Sequence, residues 1–499
     1  MLFIATGTIV SSDASIELVI YIVQQTVGII KSSMSVWLEA IIILLAVLVV
    51  ARVIKRGTKF LQRYFIPSAL VGGFGALILS HQLLGWIPIE ITNEWSTYPK
   101  QLINIVFAGL FLGHIIPGVR EIWQKSAPMI AFGNTLAWGQ YVIGIVLTLV
   151  LLGPVFGAPP LTGALIEISF EGGHGTAAGL APTFEKLGWP EATDIALGLA
   201  TVSIVVAIFS GILIINLHHR RNGRIIDEAA MVEQQKRMIR NGYSLTRFVN
   251  KLETSPREVV TIGILFAASI GLGWVMLQTL IAVENLVLGS NTDIRFFEYL
   301  PLFPLAMIGG LIVQLILNKL HHGHLVKRNT VKAFSAIALD LLILSAIATL
   351  SLSTIRDNFP IFIILAIAGI AWILGAFFYF APRFFRRYWF EYGLTNTGQS
   401  MGMTATGLLM NRLVDPSNHT HARESFAYKQ LAFEPFMGGG IVTATAAIVL
   451  VEFGQIPTLI VVSLIFLFWI RLGLKLGQDP RLSTRRLSLE KILGKIASK

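Results

Sequence analysis

The 499-residue chain has no cysteine, which excludes disulfides, thiolate metal sites and cysteine nucleophiles. Charge is also scarce. Only 13% of residues are Asp, Glu, Lys or Arg, against roughly 25% in ordinary soluble domains. No phosphate loop, Ser/His/Asp order or metal-spaced carboxylate set stands out. The first residues lack a basic start, and Asp13 and Glu17 interrupt the first apolar stretch, so no cleavable signal peptide is expected. What remains is apolar: 54% of residues are hydrophobic and the mean hydropathy is +0.71. Many windows reach the roughly 20 apolar residues needed to span a bilayer, so the composition fits a polytopic all-α membrane protein. The net charge of +11 does not imply a nucleic-acid partner, because the basic residues lie in short connections between apolar segments, where they set orientation.

Spans are expected at about 36–54, 64–84, 102–116, 128–152 and 192–217, and again at 259–288, 300–317, 333–352, 360–380 and 426–452, with a further apolar segment at 456–474. Residues 1–34 form an extension that is ambiguous between an interfacial segment and an imperfect span. Residues 218–257 form a long basic linker, and the chain ends in a basic tail. With 52–63 on the cytoplasmic side, the basic connections at 118–126, 218–257, 319–332 and 382–388 and the tail all fall inside. The weakly charged connections at 86–100, 153–160, 289–299 and 353–359 fall outside. This pattern holds only if two glycine-rich stretches, 161–187 and 391–415, each return to the side they left, as re-entrant hairpins do.

The chain is organised around the first of these, which reads Phe170-Glu171-Gly172-Gly173-His174-Gly175-Thr176-Ala177-Ala178-Gly179. Four glycines between Gly172 and Gly179 make a poor helix interior. Backbone that leaves the helix at membrane depth needs protein or a water-filled cavity to satisfy it. A break beside ionisable groups therefore points to a solute site. Close packing of two helices would also use glycines, but does not call for Glu171 and His174 beside them. Glycine N–H groups suit a carboxylate, and Glu171 with freed carbonyls suits a sodium ion. His174 is alternatively a packed polar residue bonded to a neighbouring helix, and Glu167 an interface residue at the hairpin mouth.

The second stretch, Thr395-Asn396-Thr397-Gly398-Gln399-Ser400-Met401-Gly402-Met403-Thr404-Ala405-Thr406-Gly407, is rich in short oxygen-bearing side chains between apolar flanks. It suits a hard cation and an amino-acid ligand, although Thr404 and Thr406 can instead bond back to their own helix. Arg412 offers a fork for a carboxylate, or else an ion pair with Asp415. Asp340 lies in an apolar span, where an ionisable group is costly and by default functional. Glu434, before Pro435, is a lesser candidate. The pairs His218-His219 and His321-His322 lie in basic loops and read as surface residues.

The chain also repeats. Pro67-Ser68-Ala69-Leu70-Val71-Gly72-Gly73 returns as Pro304-Leu305-Ala306-Met307-Ile308-Gly309-Gly310, an offset of 237; Asn104 corresponds to Asp340 at an offset of 236, and Gly175 to Gly402 at 227. The two copies begin with opposite crossings, so the expected domains are inverted repeats at 35–217 and 258–453, followed by an extra helix and tail at 454–499. Such repeats hold a solute between them near the midplane.

The run Gly172-Gly173-His174-Gly175-Thr176, its partner Gly402-Met403-Thr404-Ala405-Thr406, and Ile66-Pro67 leading to Gly72-Gly73 resemble the bacterial sodium/glutamate symporter family over roughly 35–453. The resemblance implies two inverted five-helix repeats, each with a pore loop. It also implies a homodimer in the bacterial inner membrane and alternating access that couples sodium entry to glutamate uptake. The family's Gly-Gly-X-Gly-X-Gly pattern has Ala177 in place of its last glycine, and the second loop keeps only Gly402. On this reading Gly172, Gly173, His174, Gly175, Thr176, Asn396, Thr397, Gln399, Gly402, Thr404, Thr406 and Arg412 bind the acidic solute. Glu171, Asn104 and Asp340 are the candidate sodium ligands, with sodium as coupling ion and no other cofactor. A proton-coupled or sodium-independent carboxylate carrier keeps the same architecture. An intramembrane enzyme would instead use Glu171 and His174 as acid and base.

Overall fold

The computed structural model describes residues 36–63, 66–114, 116–221, 256–288, 296–323 and 326–478. The N-terminal extension, nearly all of the basic linker and the basic tail lie outside these residues. Among the described residues every regular element is helical, apart from an isolated bridge between Ser80 and Ile87. Seven helices are long and apolar enough to cross a membrane.

The first helix among the described residues is α1 (Val36–Gly57), whose apolar run ends in Lys55 and Arg56. Helix α2 (Ser68–Leu79) starts behind Pro67 and stops at Ser80, whose hydroxyl donates to the Leu77 carbonyl at 2.7 Å. Its 12 residues rise only about 18 Å, so the full span expected over 64–84 is not one helix. Helix α3 (Ile89–Ala108) begins earlier than the expected span at 102, because the polar stretch Thr92 to Lys100 is helical too. Its Trp95 is fully buried and donates to the Ala40 carbonyl of α1 at 2.8 Å.

Helix α4 (Val119–Leu147) runs through the middle of the molecule and buries residues on nearly every face. Its first two turns are mostly polar and exposed, and its burial is concentrated from Ser126 to Tyr141. After it come the short helices α5 (Leu165–Phe170), α6 (Gly173–Gly179) and α7 (Ala181–Lys186), and then the long α8 (Ala192–Arg221). The second half has α9 (Pro256–Leu288), α10 (Phe303–Lys319), α11 (Arg328–Ala348) and α12 (Phe359–Phe384). Next are α13 (Trp389–Ser400), α14 (Thr404–Val414), α15 (Ala422–Phe433), α16 (Ile441–Glu452) and α17 (Gln455–Gln478). The single span expected over 426–452 is thus two helices. Gly438 and Gly439, at φ +66° and +102°, turn the chain between them.

The two Pro…Gly-Gly helices make parallel contacts. In α2, a Cβ on Gly72 would meet Ala51 of α1 and Leu344 of α11, and one on Gly73 would meet Ile347 of α11. In α10, Gly309 lies against the Ser269 carbonyl of α9, and Gly310 against the Ala108 carbonyl of α3. In each half the first glycine touches the helix that precedes it, and the second touches a helix of the opposite half. The glycines allow this because no side chain separates the backbones.

Candidate functional site: three helix breaks around a buried charge

Three interruptions of helical backbone meet inside the molecule. The first is at Glu171-Gly172-Gly173, between α5 and α6, where Gly173 takes φ +67°. The second is at Met401-Gly402-Met403, between α13 and α14. The third is at Glu434 to Gly440, between α15 and α16. They touch one another: a Cβ on Gly173 would lie 3.3 Å from the Gly402 carbonyl, one on Gly438 would lie 3.4 Å from the Glu171 carbonyl, and Gly439 packs against Thr176 and the Phe107 ring. Each break leaves peptide groups that the helices do not pair, and neighbouring helices supply some of the partners. Gln140 of α4 donates to the Ser400 carbonyl at 3.3 Å, while Asn396, one turn before the second break, holds α13 to α4 by donating to the Met129 carbonyl at 3.1 Å.

A chain of polar side chains crosses the three breaks. Gln399 donates to Glu171 Oε2 through its amide nitrogen. Its Oε1 accepts from Lys429 Nζ at 2.7 Å, and Lys429 donates also to Gln430 Oε1 at 2.9 Å. Gln430 then donates to the Thr404 hydroxyl and to Glu434 Oε1, both at 2.8 Å, and Thr404 donates to Glu434 Oε1 at 3.0 Å. Lys429 is 0% exposed, and its ammonium also lies 3.4 Å from the centroid of the Phe433 ring. Such burial is tolerable for a charge only when it is paired and hydrogen-bonded. Here the two glutamates stand one amide away on either side.

A second buried carboxylate braces the same region. Glu167 accepts from the Tyr141 hydroxyl at 2.5 Å, from the Thr443 hydroxyl at 2.8 Å and from the Gly438 N–H at 3.4 Å. It ties α4 to the third break and is wholly buried, so it is not an interface residue at a hairpin mouth.

The residues singled out from the sequence divide into two groups. Gly172, Gly173, Gly175, Thr176, Thr397, Gln399, Gly402, Thr404 and Thr406 all lie at or beside the breaks, and Asn396 packs one turn before the second. Thr176 bonds back to the Gly172 carbonyl at 3.0 Å. His174 is buried, and its Nε2 shares a hydrogen bond with Thr201 of α8 at 2.9 Å, the packed arrangement. It shares no hydrogen-bond partner with Glu171. Arg412 lies exposed two turns beyond Thr404. The Asp415 carboxylate accepts from the backbone N–H groups of His419 and Thr420, both at 2.8 Å, and from the Thr420 hydroxyl.

The three candidate sodium ligands do not come together. Asp340 forms an ion pair with Arg52 of α1 at 2.7 Å. Asn104 bonds to the Lys100 carbonyl of its own helix at 2.9 Å. Only Glu171 is at the breaks. There its Oε1 and Gln140 Oε1 are buried without a hydrogen bond, and the Ser400 hydroxyl stands beside the same carboxylate. These oxygens are of the hard type that a small cation takes.

Sequence reasoning missed Lys429, Gln430 and Tyr141. Lys429 was the legible one, because a lysine inside an expected span is costly wherever it sits.

The sodium/glutamate symporter family profile matches residues 33–389, which include the first break and stop at the start of α13, before the second. Two relatives, each called sodium/glutamate symporter, are found in Escherichia coli (strain K12) and Shigella flexneri. Each is 29% identical over 164 residues, covering 32% of this chain and 39% of the relative. The aligned part thus spans about two fifths of the length of those relatives. With seven membrane-length helices and a family match over more than half its length, this multi-pass membrane chain belongs to the sodium/glutamate symporter family.

Proposed function

We propose that the protein is a secondary transporter of the bacterial inner membrane that couples sodium entry to uptake of L-glutamate or a related acidic solute by alternating access. The observation that carries this reading is the convergence of three helix breaks on the chain Glu171, Gln399, Lys429, Gln430 and Glu434. Broken helices at depth expose N–H groups for carboxylates and carbonyls for cations. Lys429 adds a positive charge that a solute carboxylate can take up in place of an amide oxygen. The oxygens of Glu171 and Gln140, with the Ser400 hydroxyl beside Glu171, offer sodium ligands, with Glu171 as the anionic one.

The architecture behind this reading is a pair of inverted five-helix repeats with re-entrant segments at 161–187 and 391–415. The matching contacts of Gly72-Gly73 and Gly309-Gly310 support it. The helices carrying these contacts (α1 to α3 and α9 to α11) form a scaffold. The broken helices, with α4, α8 and α12, form the part that carries solute. In keeping with the family, two copies associate through the scaffold.

Enzymatic acid–base chemistry is less well supported, since Glu171 and His174 bond to different partners. Uptake of radiolabelled glutamate into proteoliposomes tests the proposal. The expected result is accumulation driven by an inward sodium gradient and abolished when potassium replaces sodium. Uptake of equal rate without sodium would end the coupling claim, and absence of glutamate uptake would end the solute claim.

A further inference from the structure

Away from the helix breaks, a cavity of about 220 Å³ is formed by α3, the end of α6, α7 and the segment 299–303 that starts α10. Two lysines, Lys100 and Lys186, line it, and none of its lining residues is a carboxylate. One of the Lys186 donors reaches the Glu298 carbonyl at 2.8 Å, which leaves others for a ligand. The cavity's walls are the chain segments that the charge pattern places on the outer face, next to 86–100 and 289–299. A concave site carrying two ammonium groups concentrates anions.

The cavity floor leads toward the breaks. Phe303 lines the cavity, and its ring lies 4.9 Å from that of Phe107 between centroids. Phe107 in turn lies against Gly439 of the third break, so closely that a Cβ there would not fit, and Thr176 of the first break is its neighbour. An aromatic pair thus stands between the lysine-lined space and the buried polar chain. Gly179, where α6 ends, lies against both Ile103 and Phe303.

We propose that this cavity is an outer vestibule that binds a carboxylate-bearing solute through Lys100 and Lys186, and that Phe107 with Phe303 is the gate between it and the helix-break site. The inference rests on the transport reading above and deepens it by naming where the acidic solute is first held. The chain's lack of cysteine makes a direct test possible.

Leu302→Cys places one thiol in the cavity wall. In detergent-solubilised full-length protein, its modification by an anionic methanethiosulfonate reagent and by a cationic one is compared, each rate divided by that for a free thiol. The anionic reagent should react faster by roughly tenfold. The ratio should fall to about one when Lys100→Gln and Lys186→Gln are added, and persist with Lys100→Arg and Lys186→Arg. L-glutamate should slow the reaction and L-glutamine should not. Equal normalised rates in Leu302→Cys alone, or a ratio indifferent to the lysines, would overturn the vestibule. Lack of protection by glutamate would overturn its binding role.

The gate is read with Thr176→Cys, which should be unreactive until Phe303→Ala is added; unchanged reactivity would overturn it. Failure of sodium-dependent uptake by the unaltered chain counts against the transport reading and leaves the labelling ratio untouched. Equal labelling with uptake intact counts against the vestibule alone.

Discussion

Lys429 is the residue on which the site's electrostatics turn. Its ammonium is fully buried, holds two glutamine oxygens and sits one amide from each of two glutamates. Removing one partner of a buried charge pair costs about 3–5 kcal/mol. Lys429→Met should therefore abolish uptake and lower the melting temperature, while Lys429→Arg retains part of the stability; melting curves and uptake assays together check this. Asp340 is the contrasting case. Its partner Arg52, 2.7 Å away, already neutralises it. Asp340→Asn should shift the sodium concentration for half-maximal uptake by less than twofold, whereas Glu171→Gln should raise it by at least about tenfold. A matching shift in both variants would make Asp340 a ligand after all. The sequence alone could not separate them, because each is an acid within an apolar stretch. Only the fold shows that one is neutralised by an arginine of α1 and the other is not.

At the scale of elements, glycine chemistry explains which breaks could be read in advance. Gly172-Gly173 and Gly402 disrupt a run of residues that would otherwise continue as helix, so the first two breaks are visible from composition. The third was hidden within an expected span at 426–452. Apolar residues surround Pro435 and Gly438-Gly439-Gly440 on both sides, and the average hydropathy outweighs the local signal. Lys429 falls inside that same expected span, where a lysine is a legible signal, but its partners are not legible there. Its burial comes from packing against α4, as when Ser425 donates to the Lys125 carbonyl at 3.0 Å. Long-range packing of this kind leaves no periodic trace. The backbone at the first break makes its own prediction. A side chain at φ +67° on Gly173 costs about 1–2 kcal/mol and would press toward the Gly402 carbonyl. Gly173→Ala should lower both stability and uptake. Gly75→Ala, in helix α2 with open space around it, should be neutral or more stable by up to about 1 kcal/mol. Thermal unfolding of the two variants side by side checks this.

For the whole molecule, the repeat legible as Pro67 to Gly73 and Pro304 to Gly310 gains physical content from the reciprocal contacts of its glycines with α11 and α3. The sequence offsets show the resemblance of the segments. They cannot show that each copy leans on the other half, because that depends on how the chain folds back. The two halves differ, since α8 runs unbroken over Ala192–Arg221 whereas the helical stretch 422–452 is split into α15 and α16. That split lets the Gly438 N–H reach Glu167, so the second half contributes backbone, Lys429 and Glu434 to a site where the first half places Glu167 and Glu171. A site assembled from both halves can couple two ligands only if each alters the other's affinity, and that coupling must be reciprocal.

Isothermal titration of L-glutamate into the purified protein, at low and high sodium with potassium as balance, tests this most directly. Sodium should tighten glutamate binding by roughly 5-fold to 150-fold, and Glu171→Gln should erase the difference. Glutamate binding of equal affinity in sodium and in potassium would contradict a site in which Glu171 holds the coupling ion.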